Sequence, residues 1–178
     1  MLAILTKRLP SPCHWFGLGL VGAIGALGSA FFSQYMLGWP PCSLCITQRW
    51  PYAVVIGIAV LGLALRKLIP ARIKALMVLG MGGAFATTGA VGVYHSGVEY
   101  DWWEGPQGCT PLSDPSSMTF EEYKAHILGT PITKCDDPTW LIEPVLTMAG
   151  GNAIYAFAFT AFMILGTRNL WQYQAESA

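Results

Sequence analysis

Four long apolar runs alternate with polar connections along this chain. They predict helices over residues 15–37, 45–65, 75–97 and 146–167, with connections 38–44 and 98–145 on one side. The first run carries no charge, and the second is interrupted only by Arg49. A bilayer core of roughly 30 Å is crossed by about 20 residues of helix, which each run supplies. Backbone polar groups cannot stay unpaired in lipid, so the runs must be helices or barrel strands. Barrel strands are about 10 residues long and alternate in polarity, and these runs do neither. The expected fold is therefore an all-α membrane protein, a four-transmembrane-helix bundle forming one domain over residues 1–178.

The first run has a rival reading as a cleaved signal peptide, because Lys7 and Arg8 precede it and Gly28-Ser29-Ala30 resembles a cleavage site. A signal core spans about 7–15 apolar residues, whereas this run continues through Phe31, Phe32 and Tyr35. A retained helix is the expectation. Inside the runs, Gly22/Ala26/Ala30 and Gly80/Ala84 place small residues four apart, which permits close helix approach or simply reflects membrane composition.

Composition agrees with this picture. Only 11% of the 178 residues are charged, against about 25% in a soluble domain. The net charge is zero, and no basic excess points to a nucleic-acid partner. The distribution of charge is more informative than its sum. Seven of the ten basic residues (Lys7, Arg8, Arg66, Lys67, Arg72, Lys74 and Arg168) fall at the termini and in the 66–74 turn. Lysine and arginine accumulate on the cytoplasmic side, so both termini are expected there, with segments 38–44 and 98–145 outside. Trp39, Trp50, Tyr52, Tyr100, Trp102 and Trp103 would form an outer aromatic belt, and Trp15, Trp171 and Tyr173 an inner one. In the long outer segment, Thr119 and Glu122 fit a capping box. A short surface helix is expected there, with Met118, Phe120, Tyr123, Ile127 and Leu128 as its apolar stripe.

The cysteines carry the chemistry. Cys42, Cys45, Cys109 and Cys135 fall outside, leaving Cys13 alone on the inner side. An even number facing an oxidising compartment implies disulfides, and 42–45 and 109–135 are the economical pairs. Cys42-Ser43-Leu44-Cys45 lies at a helix start, where the partial positive charge stabilises a thiolate. So small a ring adds little stability, which favours a redox role. Arg49 follows Cys45 by four residues and so shares its helix face. From position alone it reads equally as a lipid-phosphate anchor or as a functional intramembrane charge. The Cys109–Cys135 loop reads as a staple or as a mobile arm that presents its disulfide to a protein partner. His95, level with the C-x-x-C, lines an oxidant pocket or lies at the interface. A Cys₄ zinc site lacks the second short hook such sites use, so no metal is expected.

These features resemble the bacterial disulfide-bond formation protein B (DsbB) family. The resemblance rests on Pro41-Cys42-Ser43-Leu44-Cys45 followed by Arg49, the four-helix topology and the Cys109/Cys135 pair. Tyr94-His95 and Trp102-Trp103-Glu104-Gly105-Pro106 add to it. It implies a protein-thiol:quinone oxidoreductase of the bacterial inner membrane with its redox loops in the periplasm. In such an enzyme a reduced thioredoxin-fold donor of the DsbA type attacks Cys109–Cys135, and Cys135 then exchanges with Cys42. Cys45 passes electrons to ubiquinone or menaquinone, with Arg49 and His95 at the quinone. DsbA is itself a strong thiol oxidant, so a lipid-soluble acceptor has to drain its electrons. Vitamin K epoxide reductases also join a C-x-x-C to a loop pair, but there the loop pair comes first. A structural adaptor stapled by disulfides would not use Arg49, and a small transporter would show paired intramembrane carboxylates or broken helices.

Overall fold

The computed structural model describes residues 11–106 and 135–176. Within them are four long helices: α1 (Pro12–Tyr35), α2 (Ser43–Ala64), α3 (Ala71–Glu99) and α4 (Met148–Glu176). Each is long and apolar enough to cross a membrane, α4 over Met148–Gln172. Ser11 caps α1 by accepting from the backbone N–H of Cys13 at 3.3 Å, and Pro12 occupies the first turn, where its missing N–H costs nothing. Beyond α1 the chain turns at Gly38, whose φ of 70° suits a residue without Cβ. The N-cap of α2 is Cys42 itself, whose sulfur accepts from the backbone N–H of Cys45 at 3.2 Å. Helix α3 starts at Ala71, four residues ahead of the apolar run, so that Arg72 and Lys74 ride on its first turns.

Two departures from the sequence pattern stand out. Residues 140–147 are not plain loop: β1 (Trp140–Ile142) pairs antiparallel with β2 (Leu146–Thr147), which leads directly into α4. The aromatic belts also lose two members. Tyr52 is only 3% exposed and Trp15 only 1%. Tyr52 packs edge-on against Phe85 and donates its hydroxyl to Asn152 Oδ1 at 2.6 Å, so its polar tip is satisfied inside the bundle. Trp15 lies over Gly166, where an added Cβ would come within 2.5 Å of the indole. The expected surface helix around residues 119–128 lies outside the described residues.

The four helices pack in sequence, with α3 against α4 the most extensive contact and α1 also touching α4. Their shared core joins Trp15 and Phe16 of α1, Val55 and Ala59 of α2, Val78, Met81 and Phe85 of α3, and Met163 of α4. Lipid is as apolar as these side chains, so close packing rather than water exclusion holds such helices together. A second buried cluster sits at the amino-terminal end of α2 and joins Cys42, Leu44, Val98 and Cys135.

Candidate functional site

The dithiol motif ends up at the junction of three elements because α2 begins where α3 ends. Cys42 is buried and Cys45 half-buried, with their sulfurs 2.8 Å apart. The hydrogen bond to Cys45 and burial push the Cys42 thiol above its ordinary range. On the other side of Cys42, Nε2 of His95 lies 3.5 Å from its sulfur. His95 is 3% exposed and comes from the last turns of α3, 53 residues along the chain. Cys135 is disulfide-bonded, 1% exposed and packed in the Cys42 cluster, with its sulfur 3.6 Å from the hydroxyl of Ser43. Cys109 lies outside the described residues.

His95 is held from behind. Its Nδ1 lies 3.4 Å from the side-chain amide of Gln48, which in turn meets the Asn152 amide at 3.4 Å, and Asn152 meets the Tyr52 hydroxyl at 2.6 Å. Thr88 donates to the backbone carbonyl of Gln48 at 2.8 Å and ties that turn of α2 to α3. A polar chain therefore runs from α4 through α2 to the imidazole and ends at Cys42. Such chains turn a ring to one orientation, because each member has its partners on both sides. Glu99, one turn beyond His95, brings Oε1 to 3.9 Å from Nε2.

Below the two sulfurs opens an apolar cavity of about 660 Å³. Its walls come from α1, α2, α4 and Thr139 and Leu141 at β1, and Cys45, Arg49, His95 and Glu99 reach it from the polar end. Arg49 donates from Nη1 to Gln34 Oε1 at 2.7 Å, and its guanidinium lies 5.0 Å from the centre of the Phe31 ring. Its Nε and the Glu99 Oε2 are buried without a hydrogen-bond partner among the described residues. An apolar cavity with a few convergent polar groups at one end suits a flat apolar ligand bearing acceptor oxygens.

Three of the six expected site residues, Cys45, Arg49 and His95, line this cavity, Cys42 touches both Cys45 and His95 behind it, and Cys135 packs beside Cys42. Sequence reasoning missed Gln34, Gln48, Glu99 and Asn152. Three are polar side chains in apolar helices, itself a functional signal. Glu99 follows His95 by four residues, a spacing that places both on one face.

A family model described as "Disulfide bond formation protein DsbB" matches residues 12–166. An uncharacterized protein of Rickettsia prowazekii (strain Madrid E) is 26% identical over 117 residues, which cover 65% of this chain and 65% of that relative. No solved structure matches.

Proposed function

The chain belongs to the DsbB family of multi-pass membrane proteins that support disulfide bond formation, and on that premise we propose that it reoxidises a periplasmic thioredoxin-fold donor of the DsbA type and delivers the electrons to a membrane quinone. It acts as a protein-thiol:quinone oxidoreductase in the bacterial inner membrane, as a single membrane domain with both termini cytoplasmic. The observation that carries this reading is the placement of Cys42. Its sulfur lies between the buried Cys135 cluster and Cys45, which lines an apolar cavity that Arg49 also reaches.

The residues divide the work. A partner thiolate attacks Cys109, breaks the Cys109–Cys135 bond and forms a mixed disulfide, leaving Cys135 as the thiolate. Cys135 attacks Cys42, which breaks Cys42–Cys45 and frees Cys45 at the cavity wall. The second partner thiol then releases the oxidised partner from Cys109. Cys109 displaces Cys42 from Cys135, restoring the loop disulfide and leaving Cys42 and Cys45 reduced. The short distance between the two sulfurs favours their rejoining once two electrons have left. Ubiquinone or menaquinone would supply the sink, accepting two electrons and two protons. The cavity fits such a head group, since Arg49 carries a buried, unpartnered Nε at the end where a quinone oxygen would sit. Arg49 would hold and orient it, His95 would line the same polar end, and the apolar walls would exclude water.

The test uses purified protein in detergent, a reduced DsbA-type partner and each quinone, followed optically. Partner-dependent quinone reduction that disappears in Cys45→Ala is expected, with thiol exchange at Cys109 retained. Absence of reduction with both quinones, from folded protein and a competent partner, would overturn the proposal.

A further inference from the structure

The sulfur pair has a second use that its neighbours define. We propose that the reduced Cys42–Cys45 pair, with His95 and Glu99, forms a binding site for a thiophilic divalent cation, zinc, that locks the pair reduced and inhibits the protein. One donor atom from each of Cys42, Cys45 and His95 lies within 4.8 Å of the others. Glu99 Oε1 lies 3.9 Å from the histidine Nε2 but outside this 4.8 Å group, so its side chain has to swing inward to supply a fourth donor. Two thiolates, an imidazole and a carboxylate form a donor set that zinc accepts in tetrahedral geometry.

The distances suit the ion. With Zn–S near 2.3 Å and Zn–N near 2.05 Å, tetrahedral geometry puts a sulfur and a nitrogen about 3.6 Å apart. Cys42 Sγ and His95 Nε2 are 3.5 Å apart. Two zinc-bound sulfurs would be about 3.8 Å apart. The Cys42 and Cys45 sulfurs, at 2.8 Å, have to separate by roughly 1 Å, which side-chain rotation provides. Glu99 is 8% exposed, and its Oε2 has no hydrogen-bond partner among the described residues, leaving a carboxylate oxygen available.

The support behind the ligands is the stronger observation. A metal-bound histidine nearly always has its remote ring nitrogen hydrogen-bonded, which fixes the ring. His95 meets that condition: Nε2 faces the sulfurs, while Nδ1 lies 3.4 Å from the Gln48 side chain, itself backed by Asn152 and Tyr52. With zinc on Nε2 the ring proton sits on Nδ1, so the Gln48 carboxamide, whose nitrogen faces the ring in the metal-free chain, has to turn its oxygen toward Nδ1 to accept it.

The site is gated by redox state. A Cys42–Cys45 disulfide offers no thiolate, so the ion binds only after the pair is reduced. On binding, both thiol protons pass to solvent and no electron moves. While zinc stays, neither sulfur can rejoin the other. The inference rests on the proposed function only in that the pair must become reduced, which a chemical reductant also achieves.

The test is anaerobic Zn²⁺ titration, against a chromophoric chelator, of the full-length Cys13→Ser/Cys109→Ser/Cys135→Ser protein, which leaves only the pair in question. One ion per chain is expected in the reduced form and none in the oxidised form. His95→Ala should weaken binding more than tenfold, and Gln48→Leu by about 10- to 100-fold. No binding by the reduced form, or equal affinity in His95→Ala, would overturn the proposal. If the triple variant does not fold, alkylation of the reduced natural chain decides, read cysteine by cysteine by mass spectrometry. Zn²⁺ should slow modification of Cys42 and Cys45 at least tenfold in a His95-dependent manner, and unchanged rates would refute the site. Zinc bound by a protein that reduces no quinone would sink the functional reading and leave this one standing.

Discussion

Gln34→Ala offers a sharp test of how the cavity is equipped, because it leaves Arg49 and both sulfurs in place. The guanidinium is anchored from α1 by two contacts: the hydrogen bond to Gln34 Oε1 at 2.7 Å and the Phe31 ring at 5.0 Å. Removing the carboxamide deletes the first and keeps the second. A hydrogen bond to a charged group contributes about 1.5–3 kcal/mol in general. Bonds between membrane helices average nearer 0.6 and reach about 1.7 kcal/mol. Arg49 is half-buried at the rim, so solvent screens part of the effect and about 1–1.4 kcal/mol is appropriate. That corresponds to a five- to tenfold change in an equilibrium constant. The expectation is a quinone KM raised by roughly that factor, with thiol exchange between Cys109 and the partner unchanged. Quinone reduction measured across quinone concentration, beside a partner-only exchange assay, separates the two. An unchanged or lower KM, or equal losses in both half-reactions, would refute the idea that Gln34 aims the guanidinium.

Arg49→Ala should impair quinone use far more than partner exchange, and equal loss of both activities would count against its proposed role. Gly22→Val should destabilise the bundle by about 1–3 kcal/mol, as overpacking does. An added Cβ there would meet the Phe159 ring at 2.2 Å, and that ring is held in a stack with Phe85, centroids 5.0 Å apart. Thermal unfolding in detergent reads the effect, and an unshifted midpoint would mean the α1–α4 contact is looser than described. Gly97→Ala should expel the Trp103 indole, since an added Cβ would sit 2.0 Å from it. The ring would lose its donation to the Tyr94 carbonyl at 2.8 Å and its stacking on Tyr94, about 1 kcal/mol in all. A red-shifted tryptophan emission is expected, and an unchanged spectrum would speak against the displacement.

Much of this protein was legible one segment at a time. Hydropathy summed over a window of helix length finds the membrane segments, because desolvating the backbone leaves no alternative to a helix there. Cys42, Cys45 and Arg49 share α2, so their spacing along one helix places them together before any tertiary contact is known. His95 and Glu99 share α3, and the same rule puts them on one face. The packing between helices is a different matter. Neither the 53 residues separating Cys42 from His95 nor the 104 separating Gln48 from Asn152 leave a trace in periodicity. Which turn of one helix meets which turn of another depends on side-chain shapes such as Trp15 of α1 over Gly166 of α4 and Phe16 of α1 over Gly62 of α2. For the same reason Tyr52 and Trp15, placed by their residue type at the membrane edge, belong to the interior once an acceptor for the hydroxyl or a glycine notch is there to receive them. The sequence by itself determined the helices, the C-x-x-C at a helix start and the charge that follows it. Only tertiary packing decided what faces those cysteines, because helix rotation and register are settled by contacts between segments that no local pattern encodes.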